Sequence, residues 1–438
     1  MPFLEDIPQP ENGYYVLVTG ANSGLGLGIG ARLIDEFLQT RPQSESLVLI
    51  VTTRDQRKGD ATIEKLQGHV KKACHKAERS VPGISVVLQR RVYLRQERLD
   101  LLSLISVQKL CKRLCETTPK LDAVICNAGI GGWTSLNWGK AVWTVLTRCK
   151  QALTYPTFKV SGKGWLVDRQ IPKREGELDG EPVLGQVFCA NFFGHYILGH
   201  YLAPLLARHT DSEHTRGRLI WTSSLEAYEH TLDLDDIQAI TSDQPYEASK
   251  RLTDLMGITS TLPSTAPLVN RYLVVAKPDS NTATPRIYVA HPGICGTSIF
   301  ALPLVLEYAM FFVFYVARWL GSQWHPVTVD KGATAMVWLA LAEQSTLDGM
   351  EEREGVGKWG SATDLWGNER VERTEVEGWG WGGKMGEVKR KGRSPFAKDL
   401  TVEAGGRFEA DGKRAWEMLE GMRVEWEERL ERAGFAMV

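Results

Sequence analysis

Apolar residues gather in short runs that alternate with longer amphipathic stretches up to about residue 300. YYVLVT, Tyr14 to Thr19, reads as a strand ending in a glycine turn, and Leu25 to Leu38 follows with a helical spacing. SLVLIVTT, Ser46 to Thr53, is a second strand, followed by Arg54 and a polar, basic helical stretch over 56–80. RVYLRQERL, Arg91 to Leu99, reads as a third strand closed by Asp100, and Leu101 to Leu114 as an amphipathic helix. LDAVIC, Leu121 to Cys126, is a fourth strand. Val187 to Leu206 reads as a helix, Arg218 to Thr222 as a strand, Tyr246 to Gly257 as the start of a helix, and Ile287 to Ala290 as the next strand. Strand and helix in alternation predict an α/β fold, a doubly wound parallel sheet with helices on both faces.

Three regions break the pattern. Residues 131–185 are long, irregular and rich in Trp, Gly and Lys, and a Pro/Ser/Thr-rich insert spans 262–285. After about residue 345 the texture changes to Gly, Glu, Arg and Trp; 383–412 reads as surface loop and only Lys413 to Arg432 as a firm helix. The expected organisation is one domain over 1–345, with insertions at 131–185 and 262–285, and a C-terminal extension over 346–438 ending in a helix. There is no internal repeat.

Composition narrows the class. The chain has 438 residues of which 43% are hydrophobic, enough for one large domain or two ordinary ones. A formal charge of -1 gives no bulk field for nucleic acid, and 24% charged residues argue against many membrane spans. Seven cysteines are scattered without C-x-x-C or metal-type spacing, so no metal is expected and the thiols read as reduced. The start, MPFLEDIPQPENGYY, lacks the basic and apolar regions of a cleaved signal peptide.

Candidate chemistry sits at the ends of the expected strands, where ligands bind in such sheets. TGANSGLGLG, Thr19 to Gly28, opens a helix after the first strand. Gly20, Gly24 and Gly26 allow a tight turn and close approach to a pyrophosphate, with Asn22, Ser23 and Leu25 in the same turn offering N–H groups at a helix N-terminus. Thr53 and Arg54 end the second strand, where an acid selects NAD and a base selects NADP; no acid appears until Asp55, so NADPH is predicted. Asp100 is placed to meet the adenine ring, and Asn127, Ala128 and Gly129 to back its ribose. His291 reads as a packing residue ahead of the turn formed by Pro292, Gly293 and Ile294.

YEASK sets Tyr246 and Lys250 one helical turn apart on one face. A phenol is a weak acid at neutral pH, and a neighbouring ammonium favours its phenolate. Tyr246 is therefore the expected proton donor to a carbonyl oxygen while hydride reaches the carbon. Ser224, at the end of RLIWTSS, is the expected hydrogen-bond partner of that carbonyl, with Ser223 the alternative.

Taken in this order, the motifs resemble the short-chain dehydrogenase/reductase family over residues 14 to about 300, in which TGxxxGxG is the typical spacing. The resemblance implies a Rossmann-type sheet, a relay water held at Asn191, and a nicotinamide carboxamide bound by Thr297. The segments NWGKAVWTVLTRCKQALTYPTFKVSGKG, YEASKRLTDLM, FFVFYVARWLGSQWHPVTVDKGA and VEWEERL sharpen it to the fungal 3-keto-sterol reductases. That likeness implies NADPH-dependent reduction of a 3-keto sterol to the 3β-alcohol during sterol C4-demethylation. Ser224 and Tyr246 lie 22 residues apart, where most of the wider family has about a dozen, so EHTLDLDDIQAITSD must loop out and return. Two readings stay open beside this one: reduction of another lipid or steroid ketone such as oestrone or a retinoid, and a non-catalytic NADPH-binding scaffold of a sterol-enzyme complex.

LEYAMFFVFYVARWLG, Leu306 to Gly321, has no charge between Glu307 and Arg318 and falls short of the ~20 residues of a span. Residues 299–321 are expected to form a monotopic element that lines a sterol pocket and dips into one leaflet, with Arg318 and Trp319 at the headgroups. A core or dimer-interface helix and a true span are the alternatives. The implied location is the cytosolic face of the endoplasmic reticulum or a lipid droplet. The implied partners are a sterol ketone, the membrane surface, other C4-demethylation enzymes and a second copy in a homodimer, with no nucleic acid.

Overall fold

The computed structural model describes residues 10–147, 158–171, 180–209, 216–273, 282–296, 304–393 and 396–435. In chain order the strands are β1 Gly13–Val18, β2 Ser46–Thr53, β3 Val92–Arg98, β4 Ala123–Cys126, β5 Trp133–Leu136, β6 Lys159–Ser161, β7 Arg208–His209, β8 Arg218–Thr222, β9 Thr282–Ala283, β10 Arg286–His291, β11 Lys358–Thr363 and β12 Glu369–Thr374. Eight of them make one sheet in the order β12-β11-β10-β8-β4-β1-β2-β3. Every pair in it is parallel except the β11–β12 hairpin. The antiparallel pairs β5–β6 and β7–β9 stand outside it.

The strands are apolar on both faces because helices cover both. Tyr15 and Leu17 of β1 enter one core while Val16 and Val18 enter the other, and Leu219 and Trp221 of β8 are divided in the same way from Ile220. One core is completed by α1 Gly24–Thr40, through Ile29, Leu33 and Phe37, by α2 Gln56–Glu78 and by Met336, Val337 and Leu339 of the helix Thr334–Leu341. The other is completed by α3 Leu104–Thr117, α4 Gly194–Leu206 and α5 Pro245–Thr259. Full burial of each Leu, Ile or Phe contributes about 1.5–3 kcal/mol.

The expected helix over Val187 to Leu206 is interrupted. A short turn, Gln186–Phe188, passes into a π-helical turn, Cys189–Phe193, before α4 begins. The wider turn re-aims Asn191, and such turns gather at functional sites.

The polar C-terminal region belongs to the same layers. β11 lies beside β10, so the sheet continues through residues expected to form an extension. The last helix starts at Val402, capped by the Thr401 side chain, and runs to Arg432, not from Lys413. Gly405, Gly406 and Gly412 hide its period, and the third has a packing reason: a Cβ on Gly412 would lie 2.4 Å from Thr259 Cγ2 of α5. Trp416, Leu419 and Trp426 bury it against Tyr196 and Tyr272, and Tyr196 donates to Glu420 at 2.6 Å. Within the 262–285 insert, Ala266–Tyr272 is helical and β9 is a strand; 274–281 lies outside the described residues.

The apolar stretch forms α6, Leu304–Trp319; residues 297–303, with Thr297, lie outside the described residues. Among the described residues no helix is long and apolar enough to cross a membrane. The expectation for Arg318 is corrected. It is buried, with Nε donating to the His325 carbonyl at 2.9 Å and Nη2 to the Pro326 carbonyl at 2.5 Å. These carbonyls hold the guanidinium inside the protein, so it cannot snorkel.

Candidate active site

One cavity of about 860 Å³ runs along the carboxyl edge of the sheet. Its polar end is the turn between β1 and α1. Gly20 has φ +66°, and a Cβ there would meet Ala128 Cβ at 2.8 Å; a Cβ on Gly26 would lie 2.2 Å from the Gly20 carbonyl oxygen. Side chains would fill this cradle, so the turn stays open to a ligand. Ser23 is the N-cap of α1 but makes no side-chain capping bond, and the first turn has no acidic residue. Its N–H groups and the positive end of the helix dipole suit an anion.

The wall beside the turn is pinned from within. Thr19 Oγ1 accepts from Asn127 N at 2.8 Å and Ala128 N at 3.0 Å, and meets His195 Nε2 at 2.8 Å. With two donors already aimed at its oxygen, the hydroxyl donates to His195, which is kept neutral by burial that pulls it down to about 3. Arg54 and Asp100 line the mouth of the cavity, and the Asp100 carboxylate accepts from Leu102 N at 3.1 Å. The Arg54 side chain makes no hydrogen bond or ion pair within the described residues. Lys58, in the first turn of α2, lines the same mouth. It was missed in the sequence, where its place four after Arg54 was the available signal.

Tyr246 and Lys250 line the middle of the cavity with Ser223 and Ser224. Burial pushes the Tyr246 phenol above its ordinary value and Glu226 adds to the shift, while a hydrogen bond with the Ser224 side chain opposes it. The phenol therefore stands protonated at neutral pH, the state a proton donor needs; Lys250 alone does not bring it toward the working range. Lys250 Nζ sits 5.6 Å from the Tyr246 ring centroid and donates to the Thr222 carbonyl at 2.7 Å. Burial pulls Lys250 down to about 8, against the raising effect of Asp254 and with the lowering effect of Lys358.

The remaining expected residues divide. Pro292, Gly293 and Ile294 line the cavity; Gly293 has φ +67°. His291 is buried, with Nε2 2.7 Å from Thr374 Oγ1 and Nδ1 accepting from Gly293 N. Asn191 is behind the wall: its Oδ1 accepts from Ile130 N at 2.7 Å, and Nδ2 donates to the Ile130 carbonyl at 3.0 Å and to Ser249 Oγ at 3.1 Å. A Cβ on Gly129 would meet that amide oxygen at 2.8 Å, which explains the glycine there.

The other end is apolar. Ile130, Trp133, Leu136 and Phe158 form one side, and Ala309, Met310, Val313 and Phe314 of α6 form another. The Trp133 and Tyr246 ring centroids are 4.9 Å apart, and Lys159 Nζ lies 4.4 Å from the Trp133 ring while pairing with Glu226 at 2.5 Å. Trp133, Phe158 and Lys159 come from the irregular segment, which has no period to mark them in the sequence. The outer face of α6 is exposed: Tyr308 71%, Phe312 63% and Trp319 61%, followed by Leu320 at 79%.

A doubly wound sheet that joins a glycine turn to a serine, tyrosine and lysine along one edge defines the short-chain dehydrogenase/reductase class. No protein-family model matches the chain. It is 45% identical over 437 residues to "3-keto-steroid reductase erg27" of Aspergillus fumigatus, covering 96% of this chain and 95% of that protein. It is 38% identical to the ERG27 protein of the same description from Gibberella zeae, covering 97% and 96%, and 32% identical to that of Schizosaccharomyces pombe, covering 83% and 90%. The chain belongs to the 3-keto-steroid reductase family. Among solved structures it is similar to a 3-oxoacyl-[acyl-carrier protein] reductase from Brucella melitensis in complex with NAD, at 15% identity and a TM-score of 0.41, covering 75% of this chain and 89% of that one.

Proposed function

We propose that the protein uses NADPH to reduce the 3-ketone of a sterol to the 3β-alcohol, in the C4-demethylation stage of sterol biosynthesis. The observation that carries this reading is that Tyr246, Ser224 and Lys250 line one cavity together with the glycine turn and the apolar residues of α6. The glycine cradle, the uncapped start of α1 and the cations Arg54 and Lys58 fit a dinucleotide with a 2′-phosphate. The bound cofactor supplies hydride to the carbonyl carbon. Ser224 donates to the carbonyl oxygen, Tyr246 gives it a proton, and Lys250 holds positive charge where the phenol becomes phenolate. Gly20 to Gly26, with Asn127, Ala128 and Gly129, would form the cofactor wall, Asp100 would hold the adenine end and Pro292 to Ile294 the nicotinamide end; Thr297, outside the described residues, is the carboxamide partner the resemblance implies, and Asn191 would support proton return through the wall it braces.

A sterol enters from lipid. The helix α6 lines the cavity with Met310, Val313 and Phe314 and turns Tyr308, Phe312, Tyr315 and Trp319 outward at spacings of four, three and four. One face touching substrate and the opposite face open and aromatic suit a roof resting on a bilayer interface. The same reading seats the protein peripherally on the cytosolic face of the endoplasmic reticulum or a lipid droplet. Other C4-demethylation enzymes and a second copy of the chain are its prospective neighbours there.

The test is NADPH consumption by the purified protein with a 4-methyl 3-keto sterol, oestrone and retinal, each presented in detergent. Fastest turnover of the sterol ketone, with a 3β-alcohol product, is expected. Preference for retinal, or no oxidation above the ketone-free rate, overturns the reading.

A further inference from the structure

Three successive residues leave β8 toward the cavity, and each is held from behind. The Thr222 carbonyl accepts from Lys250 Nζ at 2.7 Å. Ser223 Oγ donates to Asp254 Oδ1 at 2.5 Å. The Ser224 carbonyl accepts from Lys358 Nζ at 2.5 Å, and the same ammonium donates to Asp254 Oδ2 at 2.6 Å. Asp254 follows Lys250 by one turn and Tyr246 by two, so the three share one face of α5. Lys358 reaches them from β11, in the polar C-terminal region, and both members of the Lys358–Asp254 pair are buried.

We infer that Asp254 and Lys358 are positioning residues for the reduction: they clamp the Thr222–Ser224 segment so that Ser224 meets the substrate carbonyl, and they set the charge around Lys250. This rests on the function proposed above. A buried ion pair is a costly way to obtain stability alone, since an apolar pair of similar volume often serves as well. Here its polar atoms terminate on the backbone and side chain of the segment that carries Ser224. A shift of that hydroxyl by a fraction of an ångström is enough to slow a reaction.

The charge argument has a definite sign. Lys250 is faced by Asp254 and Tyr246 of α5, Lys358 of β11, Cys126 of β4 and His195 of α4. Lys358 itself is also near Arg251 and Glu377. Removing Lys358 leaves Asp254 to favour the charged form of Lys250; removing the Asp254 charge disfavours it.

The experiment compares full-length wild type with Lys358→Met, Asp254→Asn and the double variant, each checked for a cooperative thermal transition. In the single variants kcat is expected to fall ~10- to 100-fold with the KM for NADPH near wild type. The alkaline limb of the kcat/KM profile is expected to move up in Lys358→Met and down in Asp254→Asn, opposite shifts that loss of packing does not produce. Adding Ser224→Ala to Lys358→Met is expected to cost less than it does in wild type, because the serine is already misplaced. Should Lys358→Met fail to fold, the double variant, which removes both members of the pair together, takes its place for kcat and the Ser224→Ala comparison. Folded variants with wild-type kcat, an unmoved limb or full additivity with Ser224→Ala overturn the inference. A wild type that reduces no ketone overturns the function instead.

Discussion

Ser223 gives its hydroxyl to Asp254 at 2.5 Å, which commits it to the helix behind the cavity, while Ser224 Oγ accepts from Glu226 N at 3.2 Å and lines the cavity with Tyr246. The two adjacent serines are equivalent in sequence and differ in their partners. Ser224→Ala is expected to lower kcat about 100-fold while leaving the unfolding midpoint nearly unchanged, as loss of one donor to a developing oxyanion does. Ser223→Ala is expected to cost about 1–3 kcal/mol of stability, since a buried carboxylate oxygen loses its partner, with the smaller effect on kcat. Steady-state kinetics and urea unfolding of both variants check the assignment; the reverse pattern makes Ser223 the working hydroxyl.

Activity and stability are expected to respond to pH in opposite directions. Lys250 is pulled from an ordinary 10.5 to about 8 by burial, with Lys358 of β11 adding to the fall and Asp254 of α5 and Cys126 of β4 opposing it; Tyr246 and His195 complete its surroundings. Below that value both folded and unfolded chains carry the ammonium, and the folded state bears the cost of burying it. Between about 8 and 10.5 the unfolded chain holds a proton the folded one has released, so the Lys250 contribution to stability rises with pH. Reduction needs the charged form, so kcat/KM of the free enzyme is expected to fall above about 8. A Lys250→Met variant whose residual activity keeps the same alkaline limb assigns that limb elsewhere.

Arg54 and Lys58 flank the mouth of the cavity next to the polar turn. Arg54→Ala is expected to raise the KM for NADPH about 10- to 100-fold, the loss of a charged hydrogen bond, and to leave that for NADH within about twofold. Lys58→Ala is expected to do the same more weakly. Equal losses with the two cofactors would remove the 2′-phosphate from this corner.

The outward aromatics of α6 predict an interfacial contact. Phe312→Ser with Trp319→Ser is expected to reduce sedimentation with phospholipid vesicles by about tenfold or more, from roughly 1.5–3 kcal/mol of burial per large side chain. Turnover of a small water-soluble ketone is expected to persist, since neither residue lines the cavity. Unchanged vesicle binding would leave the exposed face without a lipid role.

The central sheet, its helices and the candidate cofactor edge were legible along the chain because their causes are local. Apolar runs at strand length, amphipathic runs at helix length, a glycine turn that tolerates no Cβ and a tyrosine one turn before a lysine all act over a few residues. What only the tertiary structure decided depends on residues far apart in sequence. β11 and β12 carry few apolar residues, and β11 becomes a strand because β10 offers an edge, with β12 pairing to β11 in turn; Lys358 on β11 becomes part of the site because the Ser224 carbonyl and Asp254 lie beside it. The last helix hides its first turns behind Gly405, Gly406 and Gly412, of which only Gly412 is required by a close crossing with α5. Arg318 sits in a stretch that reads as lipid-facing, yet two carbonyls from the following loop turn it inward, while Phe312 on the same helix faces out. Periodicity states which residues share a face of an element; the packing partner decides what that face meets.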